Sequence, residues 1–160
     1  MNQTDTERFA DNPRSTARIG GHPIHPMLVP FPITCFVGAF VTDILFMIYG
    51  DPGFADASKW LLGFGIATAA LAAIAGLTDY MGDDRIRRLG TAIRHMIANV
   101  TAVVLEIVNL AIRLGDDANI LSIGIYLSGI VTLVLLYSGW LGGELVYHHR
   151  VAVQDRGTDR

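Results

Sequence analysis

The chain is poor in charge. Only 17% of its 160 residues are Asp, Glu, Lys or Arg, against the ~25% usual in soluble domains. Fifteen acidic and twelve basic residues leave a net charge of −3. The pI is about 5.9, so no basic surface is offered to nucleic acid. A single cysteine, Cys35, excludes an internal disulfide, and its apolar neighbours point to a lipid- or core-facing thiol. Recognisable catalytic motifs are also missing. There is no HExxH, no CxxCH and no paired Glu-x-x-His of the di-iron kind, nor a nucleotide loop or nucleophile–base pair, so an enzyme is not expected. Ser122, Ser128 and Ser138 read as small packing residues. The first 18 residues contain no apolar core of the signal-peptide kind. The first apolar block is therefore expected to act as an uncleaved signal-anchor.

What is present is apolar. Hydrophobic residues make up 51%, and mean hydropathy is +0.41. Charges crowd into the first 18 residues, into 83–94 and into the last dozen positions. That distribution excludes a soluble enzyme domain and a disordered chain, and leaves a small polytopic membrane protein. Crossing a bilayer takes ~20 mostly apolar residues in a helix, and four segments qualify: 27–49, 60–81, 91–114 and 120–147. The fourth is long enough to tilt. Links at 50–59, 82–90 and 115–119 are short and force neighbours antiparallel. The predicted fold is all-α, a four-helix transmembrane bundle running up-down-up-down. It occupies 21–149, between a polar tail at 1–20 and another at 150–160. The apolar runs are continuous, so the alternation of a β-barrel is absent.

Arginines set an expected orientation. Arg8, Arg14 and Arg18, then Arg85, Arg87, Arg88 and Arg94, then Arg150, Arg156 and Arg160 share one side, leaving Lys59 and Arg113 on the other. The positive-inside rule puts that side, with both termini, in the cytoplasm. Trp60, Tyr80, Trp140 and Tyr147 fall near span ends, as interfacial aromatics do. Ala69/Ala73, Ala72/Gly76, Gly124/Ser128 and Gly139/Gly143 are small-xxx-small pairs. They suit close helix packing within the bundle or, on the fourth helix, a homodimer face.

Ionisable groups inside a span are costly, and the third span holds a set of polar residues. His95, Asn99, Glu106 and Asn109 fall at about 0°, 40°, 20° and −40° at 100° per residue. One stripe must therefore face the bundle interior, either to fix helix register or to hold a ligand or proton. Depth divides the polar residues into two layers. In the outer layer Asp43 and Glu106 are expected to approach each other, sharing a proton or binding a cation, with Asn109 beside them and no Lys or Arg at that depth. A hydrogen bond from Asp43 to a neighbouring helix is the plainer alternative.

In the inner layer lie His22, His25, His95, His148 and His149. His25, Asp79, His95 and Glu144 come from four helices at similar depth, and histidine plus carboxylate from several helices suits a transition metal. Two imidazoles on different helices also suit a b-type haem. Prolines at 23, 26, 30 and 32 predict an extended strap over 21–26, carrying His22 and His25 across the bundle mouth, with regular helix starting between Pro26 and Pro32. His148 and His149 read as solvated tail residues.

The run Gly21-His22-Pro23-Ile24-His25-Pro26-Met27-Leu28-Val29-Pro30-Phe31-Pro32-Ile33 resembles the opening signature of an uncharacterised bacterial membrane family, domain of unknown function 2231. Asp43, Gly76-Leu-Thr-Asp79, His95-Met-Ile-Ala-Asn99 and Gly139-Trp-Leu-Gly-Gly-Glu144-Leu-Val-Tyr147 match further landmarks, over roughly residues 20–152. Some relatives look like fusions to Rieske iron–sulfur modules, which implies membrane electron transfer; here a redox role would need a separate partner.

The leading expectation is thus a cofactor-binding or accessory subunit of a redox system in the bacterial inner membrane. His25 and His95 would be haem or metal ligands or quinone contacts, with His22, Asp79, Asn99 and Glu144 around them. An oligomeric proton or cation transporter and a purely structural subunit are the alternatives. Lipid is the one certain partner; a redox partner or a homo-oligomer is a further expectation.

Overall fold

A computed structural model of the protein describes residues 12–153. Four helices in it are long and apolar enough to cross a membrane: Ile24–Tyr49, Pro52–Gly82, Gly90–Gly115 and Ile120–Tyr147. Each packs against its sequence neighbours, and the fourth closes back on the first. The result is a four-cornered antiparallel bundle. The first span consists of α1 (Ile24–Leu28) and α2 (Pro30–Tyr49). Next come α3 (Pro52–Gly82), a short α4 (Asp84–Arg87) and α5 (Gly90–Gly115). The fourth span opens with a π-helical turn, Ile120–Gly124, and continues as α6 (Ile125–Tyr147).

Two boundaries differ from the sequence reading, for local reasons. The link between the first two spans is much shorter than 50–59. Gly50 ends α2 in the left-handed conformation, φ 66°, which glycine adopts without a Cβ clash. Asp51 then caps α3 by accepting from the Gly53 backbone N–H at 2.8 Å, with Pro52 in the first turn. Lys59 therefore lies inside a helix, where it bridges Asp56 at 2.8 Å and Asp117 at 2.9 Å.

The expected strap at 21–26 is a strap only as far as Pro23. Strands β1 (Arg18–Ile19) and β2 (His22–Pro23) form a small antiparallel hairpin, turning on Gly20 and Gly21 with positive φ. Helix starts at Ile24, so His25 and Pro26 sit in a first turn, where a proline's missing N–H costs nothing.

The centre is filled by Phe36, Ala39, Leu62, Ala69, Ala102, Val131 and Leu135. Gly65 is a seat for the Phe36 ring: a Cβ there would lie 2.4 Å from the ring edge. Large apolar side chains such as Ile74, Leu133, Leu136 and Trp140 point outward. A helix bundle that is apolar outside as well as inside is built for hydrocarbon. Gly139 meets nothing within 4 Å of where a Cβ would stand, so it packs against no other part of the described chain.

The two described chain ends meet at the arginine-rich end of the bundle. The Ala152 N–H donates to the Pro13 carbonyl at 2.9 Å, and the Arg14 N–H to Asp83 Oδ2 at 2.9 Å. Arg85 lies on Asp83 at 2.8 Å. Its guanidinium, more than any other group, holds that carboxyl well below the usual range.

Candidate functional site

Two polar layers cross the bundle, and they are built differently. Toward the end opposite the termini, Asp43 of α2 is fully buried. It does not face a second bare carboxylate. Arg113 of α5, 1% exposed, grips it with both fork nitrogens, at 2.6 and 2.7 Å. This corrects the expectation that no basic residue lies at that depth and that Asp43 and Glu106 share a proton or a cation between themselves. A buried carboxylate is best satisfied by a bidentate guanidinium. Ser58 Oγ of α3 donates to Asp43 Oδ1 at 2.6 Å, and Ser128 Oγ of α6 to Oδ2 at 2.8 Å. Arg113 also donates to Ser58 Oγ, to Ser128 Oγ at 2.9 Å and, through Nε, to Asn109 Oδ1 at 2.8 Å.

Asn109 passes the chain on to Glu106 Oε2 at 2.8 Å. Glu106 is also fully buried, and its Oε1 has no hydrogen-bond partner. Gly124, in the π-helical turn, makes room for the guanidinium: a Cβ there would stand 2.9 Å from Nε. All four spans contribute to this layer. Sequence alone gives Arg113 only as an outer-side cation and Ser128 only as a small packing residue, and the bonds of Ser128 to Asp43 and Arg113 correct that reading. Arg113 is 18 residues after His95, which is five full turns, so it belongs to the same stripe.

Nearer the termini the second layer is open. His25 and His95 stand with ring centroids 6.2 Å apart and planes at 87°. The His25 Nδ1 lies 2.8 Å from the Ala72 carbonyl, and the His95 Nδ1 lies 3.0 Å from the Ser138 carbonyl. A carbonyl oxygen only accepts, so each Nδ1 carries a hydrogen, and in the neutral ring Nε2 is then the nitrogen with the lone pair. Asn99 Nδ2 donates to the His95 carbonyl at 2.8 Å and to Ser138 Oγ at 2.7 Å. The same Nδ2 lies 3.2 Å from His95 Nε2, so its two hydrogens are shared among three acceptors.

Both rings rest on glycine. A Cβ on Gly76 would stand 2.9 Å from the His25 ring, and one on Gly142 would stand 3.3 Å from the His95 ring. One turn of α3 thus supplies the acceptor for His25, at Ala72, and its seat, at Gly76.

The other residues of the expected cluster lie elsewhere. Asp79 Oδ1 accepts from Ser15 Oγ at 2.8 Å and from the Thr16 and Ala17 N–H groups at 2.7 Å, clamping the segment before the hairpin onto α3. Thr16 in turn fills the space over Gly82. His22 is exposed and bonded through Nδ1 to the Gly20 carbonyl at 2.9 Å, within its own turn. Glu144 is half-buried, and its backbone carbonyl accepts from the His148 and His149 N–H groups. The rings of His148 and His149 stack edge to face at 5.0 Å, with His149 Nε2 3.5 Å from Thr91 Oγ1. Among the described residues no three His, Cys, Asp or Glu side chains converge on one point. The expected four-residue set therefore reduces to two imidazoles.

Two ligands are too few for a free zinc or magnesium ion. They are the number that a haem iron takes from protein, and lone pairs on Nε2 with Nδ1 bonded to backbone are the state such ligands need. What the described residues bring together here is this one pair of imidazoles, His25 and His95.

Four apolar antiparallel helices closed around buried polar layers define an integral membrane helix bundle. The chain belongs to the family described as "Predicted membrane protein (DUF2231)", which matches residues 21–155. Comparisons with curated proteins and with solved structures each return no match.

Proposed function

We propose that the protein is an accessory electron-transfer subunit of the bacterial inner membrane, one that ligates haem iron through His25 and His95. The observation that carries this reading is the pinning of each Nδ1 to a backbone carbonyl at 2.8 and 3.0 Å, which in the neutral rings leaves two Nε2 lone pairs on the diagonally placed first and third spans. Quinone contact is less well supported, because a quinone carbonyl needs a donor and an Nε2 without hydrogen is not one. Haem iron would supply one-electron transfer. The chain's own part is to hold the two rings, and Asn99 and Ser138 orient His95. Catalysis of bond chemistry is not part of this reading. The arginine-rich end is taken as cytoplasmic on the positive-inside rule. Electrons would pass to a separate membrane partner or to a second copy of the chain.

The structural-subunit reading draws support from the outer layer, where the Asp43 charge is matched by Arg113. That same pairing weighs against a conducting path through Asp43.

The test is optical. The full chain, expressed with haem supply and purified in mild detergent without chelator, should show a Soret band and about one haem per chain. His25→Ala and His95→Ala should abolish it while keeping helical content. Wild-type protein with neither Soret band nor bound iron would overturn the reading.

A further inference from the structure

We propose that the protein carries a specific site for an anionic phospholipid in a groove on its outer surface, between α5 and α6. The groove holds about 290 Å³ and is lined by Arg94, Ile97, Ala98, Thr101, Val134 and Tyr137. The spacing 94, 97/98, 101 runs along one face of α5 for about 10 Å at 1.5 Å per residue. Val134 and Tyr137 form the facing wall on α6. Ala98 and Thr101 are small beside Ile97 and Tyr137, so the floor drops between two ridges. Such a trough matches one acyl chain lying along the helices. The groove faces outward on a bundle whose surroundings are hydrocarbon, where a lipid tail is the occupant at hand.

Charge decides which lipid. Arg94 stands at the arginine-rich end of the trough, exposed. Its guanidinium is held only by 3.4 Å contacts to the Gly90 carbonyl and Thr91 Oγ1. Among the described residues it forms no ion pair. A guanidinium fork matches a phosphate diester, and at this end of the bundle arginines outnumber carboxylates among the described residues. A zwitterionic headgroup would bring its ammonium into that field and no net charge, whereas phosphatidylglycerol brings a net negative charge. Tyr137, 50% exposed, stands opposite on α6 as part of the same lining. The site is independent of the histidine pair.

Titrating delipidated full-length protein with phosphatidylglycerol or phosphatidylcholine of identical chains, and counting retained lipid by native mass spectrometry, tests this. Wild type should retain phosphatidylglycerol about fivefold more strongly, the effect of one basic residue near a charged interface. Arg94→Gln, a change at an exposed position that leaves the fold intact, should erase that preference. Thr101→Phe should fill the trough and lower retention of both lipids. Inorganic phosphate alone should compete weakly or not at all. Equal retention of the two lipids by wild type, or an undiminished preference in Arg94→Gln, would overturn the proposal. So would full competition by inorganic phosphate, which would show an anion site without a tail.

Discussion

The two polar layers of the bundle solve the same problem in opposite ways. Around Asp43 and Arg113, side chains from all four spans are fully buried and satisfy one another, with fork nitrogens at 2.6 and 2.7 Å. Around His25 and His95 the rings are half-buried, and each is held by a bond through one nitrogen to a neighbouring helix's backbone. The first arrangement uses almost all of its donors and acceptors internally. The second leaves a lone pair on each ring. A closed network specifies which helices meet and in what register, whereas an open one is available to something else. The orphan oxygen of Glu106 is the single buried side-chain atom of the outer layer that departs from this pattern.

The sharpest way to break the comparison is at its charged centre. Arg113→Leu leaves Asp43 buried and unpaired, and thermal unfolding in detergent should show a loss of about 3–5 kcal/mol. The double change Asp43→Leu with Arg113→Leu should recover most of it, since an apolar pair needs no partner. Next in size is Gly76→Ala. The new methyl would stand 2.9 Å from the His25 ring. It should cost about 1–3 kcal/mol through overpacking, and it should displace His25 and so deplete bound haem. Gly76→Ser should do the same, and Gly63→Ala, where a Cβ meets nothing within 4 Å, should do neither.

A smaller effect is expected at the one loose end of the outer layer. Glu106→Gln keeps an oxygen for Asn109 and replaces an atom that has no partner, so its melting temperature should stay close to wild type. Proteoliposome proton flux should be unchanged too; a large drop would restore the transport alternative. The smallest effect is at the periphery. The carboxyl of Asp83 is held below its ordinary range by Arg85, so its contribution to docking the segment at Arg14 is in place above about pH 4. It is lost only as pH falls toward the lower folded value. Amide exchange at Arg14 should therefore stay protected to about pH 4 and speed up only in stronger acid, and Asp83→Asn should remove that protection at neutral pH.

Much of the fold could be read from hydropathy alone, because four long apolar runs with short links leave few other arrangements. What hydropathy hid was punctuation. Asp51-Pro52 is a helix-start signal, but polar residues follow it, so hydropathy alone starts α3 eight residues late. The prolines after His22 suggested extended chain, yet proline is equally at home in the first helical turn, where the chain puts Pro26.

At the site, periodicity gathered His95, Asn99, Glu106 and Asn109 onto one inward stripe of α5. The same stripe contains Arg113, which the sequence reading places one turn too far out, on the outer side with Lys59. Distance from an end says little when a side chain as long as arginine reaches back along its helix to a buried acid. Depth placed Asp79 beside the histidines, but depth carries no direction around the helix axis. Asp79 turns toward the backbone N–H groups of Thr16 and Ala17, a partner that sequence distance concealed. Gly76, the seat under His25, is legible only as half of a packing pair, and Gly142, under His95, not even as that, since a missing side chain does not say what fills its place.

The measurement that tests the division of labour most directly is iron bound per chain in two variants prepared side by side. The account predicts that the Asp43→Leu/Arg113→Leu protein, with its charged centre removed, keeps about one iron per chain, while His95→Ala loses it and still melts near wild type. Iron lost from the first and kept by the second would contradict it.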